Sequence, residues 1–341
     1  MSVKDYRRTS KGFLWWTWRT PVPPIPPNLL ESVFYLYSSE EDAKAGRQFG
    51  GAGFVVSVTT EQDVEFLYAV TNQHVVGNGA RAIRFNTRGG DIDILPTGRD
   101  DWKPHCDGDD IAVMPLGFRG QDHLELSAIP AATFSGEPDA YPLEIVPGTD
   151  VFVVSRFITH DGKQRNQPAV RFGHVAMMPG EPIKMKSGLK QVMYLAEMLS
   201  LSGASGSPVF AYSVQTYGGV MTNQPPLIGI DSCHLRVWRK VMKNKDGEVP
   251  YLDPESGKEL FVEQNSGMMG VIPASKLTKF LNTKEFMEMR DKEEQEIREE
   301  SEHVVLDVES GDSEFARFED LARKVVRVPK PEVDEKRKDE S

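Results

Sequence analysis

Short runs of β-branched and aromatic residues, each closed off by turn residues, recur through the middle of this 341-residue chain. They lie at residues 33–37, 54–58, 66–70, 151–154, 192–195 and 227–230. Runs of this length and composition suit strands, and the stretches between them offer few of the long 3.6-residue periods a helix needs. Many short strands without alternating helices cannot build a parallel βαβ sheet, so the expected fold is all-β, a barrel or a sandwich. No repeat of fixed period is visible.

The two ends read differently. Residues 1–30 carry an aromatic patch, Phe13, Leu14, Trp15, Trp16 and Trp18, that runs into Pro21, Pro23, Pro24, Pro26 and Pro27. Fixed φ angles and missing N–H groups exclude helix and central strand there and favour polyproline II. This extension is expected to lie along its own domain, with an aromatic-lined groove on a protein partner as the other reading. The patch is shorter than a secretory h-region and lacks a small-residue cleavage site, so no signal peptide is expected. Towards the C-terminus, Leu277, Phe280 and Leu281 recur at helical spacing and predict a short closing helix over 275–282. Residues 284–302 mix charges of both signs with few apolar side chains, the pattern of a solvated helix. Phe315, Phe318, Leu321, Ala322, Val325 and Val326 then share one helical face, and this stripe over 313–328 is expected to pack on the chain's own body or on a partner.

The formal charge of −11 sits mostly in the tail: residues 284–341 carry −8 and everything before them −3. Without clustered Lys and Arg the chain lacks the counter-charge for a phosphate backbone, so nucleic acid is not an expected partner. No apolar run approaches the roughly 20 residues needed to cross a bilayer, and no membrane span is expected. Cys106 and Cys233 form at most one bridge, too few for a disulfide scaffold. Free thiols in a reducing cell, and with them a cytoplasmic location, are the expectation.

Three polar segments carry the chemistry. Ser202, Gly203, Ala204, Ser205, Gly206, Ser207 and Pro208 form a tight small-residue turn, able to lift one hydroxyl into a cleft while backbone N–H groups converge on one point. Alone, it reads as an ordinary loop. Thr71, Asn72, Gln73 and His74 follow a strand-like run, where a lone histidine is commonly structural. Asp109 and Asp110 lead into the apolar Ile111, Ala112, Val113 and Met114, again unremarkable in isolation. His105, Cys106 and Asp107, with His123 further on, are metal-ligand types that match no closed zinc spacing, and neither a metal nor a cofactor is expected.

Taken together, in the order His, Asp, Ser, the three segments resemble the trypsin-like serine peptidases, in motif style closest to the high-temperature-requirement branch, without a PDZ domain. In that family Thr-x-x-His supplies the base, Asp-Ile-Ala the orienting acid and Gly-x-Ser-Gly-x-Pro the nucleophile, which correspond here to His74, Asp110 and Ser205. Asp109 competes for the acid's place, and the spacing to Ile111 favours Asp110. Residues 50–56 resemble the family's glycine-rich entry to its second strand; 147–151 with 172–175 resemble the opening of its second barrel, and 227–230 with 270–273 its last strands. The resemblance implies two six-stranded antiparallel β-barrels of the chymotrypsin type over residues 31–282, barrel 1 at about 31–135 and barrel 2 at about 141–282. The extension 1–30 precedes them, and a charged helical tail, 283–341, follows.

The resemblance also implies an activity: hydrolysis of peptide bonds in protein or peptide substrates through an acyl-enzyme, with the N–H groups of Gly203 and Ser205 as the oxyanion hole. The base of the specificity pocket would fall at Leu199, with Ser200, Ser232, Gly270 and Ile272 as walls and His234 at its mouth. No carboxylate stands at that base to pair a buried Lys or Arg, so cleavage after neutral, small or apolar residues is expected. Ala204 occupies the place where secreted trypsins carry an acid, which excludes activation by an ion pair with a newly cut N-terminus. The same mapping sets Cys106 and Cys233 on the cleft, a conceivable redox pair. A catalytically silent binding domain, or an adaptor acting through the chain's ends, is the alternative.

Overall fold

The computed structural model describes residues 24–47, 49–117, 123–136, 144–157, 162–185, 188–198, 203–212, 225–243 and 249–308. Most of the 1–30 extension and the stripe at 313–328 lie outside them. The first half of the chain supplies β1 (Val33–Tyr37), β2 (Phe49–Thr59), β3 (Glu65–Thr71), β4 (Ala82–Asn86), β5 (Ile92–Pro96), β6 (Lys103–Pro104), β7 (Ala112–Leu116) and β8 (Ile129–Pro130). These form one sheet in the order β5-β4-β1-β2-β3-β7-β6, antiparallel except that β8 lies parallel to β2. The second half supplies β9 (Asp150–Ser155), β10 (Ala169–Met177), β11 (Ile183–Lys184), β12 (Lys190–Gln191), β13 (Tyr194–Glu197), β14 (Pro208–Ala211), β15 (Leu227–Lys240) and β16 (Phe261–Pro273). Of these, β11 and β12 make a small ribbon, and the other six close into an antiparallel barrel in the order β10-β13-β16-β15-β14-β9.

The molecule is thus mostly β, and a chymotrypsin-like fold fits it. One expectation is corrected: the first sheet has eight strands and stays open, where a closed six-stranded barrel was expected. Its ends do not suit closure, since β6 is two residues long and β5 turns exposed side chains outward.

Strand periodicity explains why the apolar runs are continuous rather than alternating. In β1, Phe34 and Leu36 enter a cluster inside the first sheet with Val55, Ile83 and Met114, whereas Val33, Tyr35 and Tyr37 enter another with Phe54, Val56 and Tyr68. In β9, Val151 and Val153 fill the barrel with Val209 and Val271, whereas Phe152 and Val154 join the cluster that holds Tyr35. That shared cluster is the seam between sheet and barrel. A strand covered on both faces needs apolar residues at every position, which is why 33–37 reads VFYLY. Two buried arginines tie the seam further: Arg156 stacks over Tyr35 and Tyr37 at 4.8 and 4.9 Å, and Arg84 lies 4.8 Å over Tyr37 while its Nε donates to Asn166 Oδ1 at 2.7 Å.

Five α-helices are described: α1 (Pro27–Glu31), α2 (Glu40–Ala45), α3 (Gln73–Gly77), α4 (Ala274–Leu281) and α5 (Lys284–Val308). Helix α1 corrects the expectation that the proline-rich stretch of 1–30 holds no helix, because Pro27 stands at its first position, where the missing N–H is not needed. In α4, Leu277, Phe280 and Leu281 fall on one face and are buried, so the closing helix is present where its spacing predicts it. Helix α5 departs from a purely solvated one. Phe286 is fully buried edge-on to Phe280 and Tyr68, with ring centroids 5.1 and 5.5 Å away. One turn later Arg290 donates to Tyr68 OH and to Leu281 O, an acceptor left over at the end of α4. Burying one phenylalanine is worth about 1.5–3 kcal/mol, enough to dock the first turns of a helix that is otherwise charged.

Candidate active site

Strands β3 and β7 are neighbours, and their register sets Thr71 opposite Ala112. The residues just past the end of β3 and just before β7 therefore emerge at the same edge. His74 opens α3 on one side, and Asp110 precedes β7 on the other. Their imidazole and carboxylate meet: His74 Nδ1 lies 2.7 Å from Asp110 Oδ2, and the His74 backbone N–H donates to Asp110 Oδ1 at 2.9 Å. A carboxylate on Nδ1 selects the tautomer that carries its proton there and leaves the Nε2 lone pair free to accept one. Asp110 is buried, whereas His74 keeps 41% of its side chain exposed, as a base that must reach a ligand requires.

Asp110 is held from three further directions. Asn72 Nδ2 donates to Asp110 O at 2.9 Å, the Asp110 N–H donates to Gln191 Oε1 at 3.0 Å, and Ser232 Oγ donates to Asp110 Oδ2 at 2.8 Å. Gln191 and Ser232 belong to the second half of the chain, so the barrel clamps an acid carried by the sheet. Asp109 points the other way. Its carboxylate takes Lys276 Nζ of α4 at 2.7 and 2.9 Å and Gln191 Nε2 at 2.6 Å, with His105 Nδ1 3.4 Å away. Successive residues of an extended segment face opposite sides, and only Asp110 reaches the imidazole.

Ser205 is carried by the turn ahead of β14. Gly203 and Gly206 both have φ of +89°, a backbone region that side-chain-bearing residues rarely adopt. Gly206 N–H donates to Asp231 O and the Ala52 N–H donates to Ser205 O, which pins the turn between the barrel and β2. Among the described residues, the N–H groups of Gly203 and Ser205 meet no acceptor. Ser205 Oγ donates to Ser232 O at 3.3 Å, and no hydrogen bond joins it to His74. Ser232 is thus the hub, with its carbonyl on the Ser205 hydroxyl and its own hydroxyl on Asp110. The structure brings His74, Asp110 and Ser205 around it at one end of the seam.

The other candidate positions are less uniform. Leu199 and Ser200 lie outside the described residues. Ser232 is buried with its hydroxyl committed to Asp110, a bridging part that its expected place in a pocket wall did not foretell. Ile272 is fully buried in the seam core, paired across β15 and β16 with Ile230, and does not face an open pocket. At Gly270 a Cβ would sit 2.4 Å from Met193 Sδ and 2.8 Å from Cys233 Sγ, so these two sulfur side chains already fill the space beside it. His234 accepts from Arg236 Nε at 3.1 Å, and burial, with the guanidinium beside it, holds its imidazole below the usual range.

His105, Cys106 and Asp107 hold their ligand atoms within 4.8 Å of one another, but His105 Nδ1 already accepts the Asp107 N–H at 3.3 Å. Both cysteines are free. Burial, reinforced by Asp231, pushes the Cys233 thiol up to about 12, and its Sγ lies 3.9 Å from Met185 Sδ; Cys106 is exposed. Alkylation needs the thiolate. Iodoacetamide at pH 8 is therefore expected to label Cys106 alone in the folded protein and both cysteines in urea, read as one against two adducts by intact mass. Two adducts under native conditions would contradict the burial of Cys233.

No curated protein matches the chain. Among solved structures it is similar to the MamO protease domain from Magnetospirillum magneticum, with 15% identity, 75% of this chain and 98% of that one covered, and a TM-score of 0.45. It is also similar to Deg5, with 14% identity, coverage of 68% and 87%, and a TM-score of 0.38. A third is the HtrA-type protease AlgW with decapeptide, with 16% identity, coverage of 67% and 50%, and a TM-score of 0.35. Within the chain, residues 51–218 match the family described as the trypsin-like peptidase domain. This segment, which holds His74, Asp110 and Ser205, belongs to the trypsin-like peptidases.

Proposed function

We propose that the chain is a serine endopeptidase in which Ser205 is the nucleophile, His74 the general base and acid, and Asp110 the group that orients His74. The observation that carries this reading is the hydrogen-bonded path from Ser205 Oγ to Ser232 O and from Ser232 Oγ to Asp110 Oδ2, on which His74 Nδ1 also sits. Catalytic hydrogen bonds are often long or unmade without substrate. Rotation about Cα–Cβ of Ser205 would turn the hydroxyl from Ser232 O towards His74 Nε2. Oγ then attacks the peptide carbonyl, its proton passes to Nε2, and the same proton goes to the leaving amine as the C–N bond breaks. Water repeats the sequence to release the acid. The oxyanion would be received by the open N–H groups of Gly203 and Ser205.

Substrates of this reading are proteins or peptides cut after neutral, small or apolar residues: the resemblance assigns the base of the pocket to position 199, which is a leucine and not a carboxylate. Among the described residues no helix is long and apolar enough to cross a membrane. The direct test is covalent: diisopropyl fluorophosphate is expected to add one phosphoryl group to the folded protein, on Ser205 by peptide mapping, and none after urea. An unmodified protein, or an adduct on another residue, would end the reading.

A further inference from the structure

Strand β15 is 14 residues long and β16 is 13, against a usual five or six, and the barrel uses only part of each. Pairing of β14 with β15 ends at Ile230, and pairing of β13 with β16 ends at Met268. Beyond these points the two strands continue together, out to the pair Lys240 and Phe261, as a two-stranded arm. Among the described residues no strand covers the outer edge of β15 from Ser232 to Lys240. At about 3.3 Å per residue, that open edge is about 30 Å long.

An open edge is a template for another strand, and soluble proteins usually blunt it with charge, proline or bulges. This arm does less. It has bulges near Ser232 and Leu235 and one exposed charge at Arg239, but two further charges are paired, Arg236 with Glu263 and Lys240 with Glu259. Apolar groups are left on show: Trp238 is 62% exposed, Val262 53%, Phe261 51% and Val237 40%. By register, Trp238 and Phe261 share one face of the ribbon, where large side chains on diagonal positions interact.

What lies along this edge follows from where it starts. Its first carbonyl, Ser232 O, accepts from Ser205 Oγ at 3.3 Å and is released when that hydroxyl turns to His74. On the serine-peptidase reading, the substrate residue whose carbonyl is attacked would lie over that point and could offer its own N–H there, and a strand pairing with the open edge would run upstream along β15. We propose that the arm from Leu235 to Lys240 is an extended docking strand for the part of a protein substrate upstream of the cut, with Trp238 and Phe261 gripping an apolar side chain about six residues before it. Its substrates are unfolded or extended chain segments, not short peptides. The inference rests on the serine-peptidase reading only for the direction of the bound chain.

Two fluorescein-labelled peptides test it. Both end in the same three residues before an alanine nitroanilide; one has four upstream residues, the other ten, extended with alternating valine and threonine. Wild type is expected to turn over the long peptide with at least about tenfold higher kcat/KM, and Trp238→Ala to bring the two within about twofold. Because Trp238 is exposed, this substitution leaves the core intact. Fluorescence anisotropy with Ser205→Ala and Ser205→Ala/Trp238→Ala measures binding apart from hydrolysis, and the long peptide is expected to bind the first at least tenfold tighter. Equal binding of both lengths, equal binding to both proteins, or an equal gain from a downstream extension overturns the arm, whether or not hydrolysis is seen. So does a dimer, in sedimentation, that Trp238→Ala dissociates. Trp238-dependent binding without hydrolysis by wild type keeps the arm and ends the peptidase reading.

Discussion

Replacing Ser205 by alanine is expected to lower kcat/KM by about 10⁵- to 10⁶-fold, the loss seen when a hydrolase of this kind is stripped of its nucleophile. At about 1.36 kcal/mol per tenfold, that is about 7–8 kcal/mol of transition-state stabilisation. Folding is expected to survive, because the Ser205 hydroxyl makes one 3.3 Å bond to Ser232 O, and a bond of this kind is worth about 1 kcal/mol at most. Circular dichroism and thermal unfolding of the two proteins should therefore superimpose. The comparison is most informative on a mixture of denatured proteins, with new N-termini mapped after incubation with wild type and with Ser205→Ala. Cuts made only by wild type are expected to follow neutral, small or apolar residues. Cuts that persist in the alanine form point to another nucleophile, and cuts after Arg or Lys contradict the uncharged pocket.

The parts of the site legible in sequence are those held by local order. His74 and Asp110 each sit where a polar turn meets a strand, and the pairing of β3 with β7 carries them to one edge. Of Asp109 and Asp110, which composition alone does not distinguish, alternation turns the second towards His74 and the first towards Lys276. Gln191 and Lys276 were not legible. Each meets Asp109 or Asp110 across scores of residues, and no local pattern marks a residue whose partner is so distant. The hub role of Ser232 was hidden for the same reason. Closure of the first sheet escaped too: apolar runs announce strands, but whether edges meet depends on lengths and exposure at β5 and β6. In α5 the docking signal is Phe286 and Arg290, two residues diluted in a 25-residue charged helix.

Gly206→Ala is expected to be the most damaging substitution for stability near the site, costing about 3–5 kcal/mol, at the upper end of single-residue effects. Two penalties add. A left-handed backbone at φ +89° disfavours any Cβ, by about 1–2 kcal/mol. The new methyl would also sit 2.1 Å from Ala52 O and 2.4 Å from Thr71 Oγ1, and neither atom can withdraw, because the hydroxyl donates to that same carbonyl at 2.7 Å. The turn has to retreat instead, which pulls Ser205 O from the Ala52 N–H and Gly206 N–H from Asp231 O. Since Ser205 rides on the barrel and His74 on the sheet, retreat also separates these two side chains, and if they are the proposed nucleophile and base, a misplacement of about 1 Å costs about 10²-fold in rate. Urea unfolding together with kcat/KM checks both effects. Gly77→Ala is the control: nothing lies within 4 Å of a Cβ there and its φ is not positive, so stability should move by less than about 1 kcal/mol. If Gly206→Ala unfolds at the wild-type urea midpoint and keeps its turnover, the nucleophile turn is not wedged against β2, and the geometry that joins the two halves of the site is wrong.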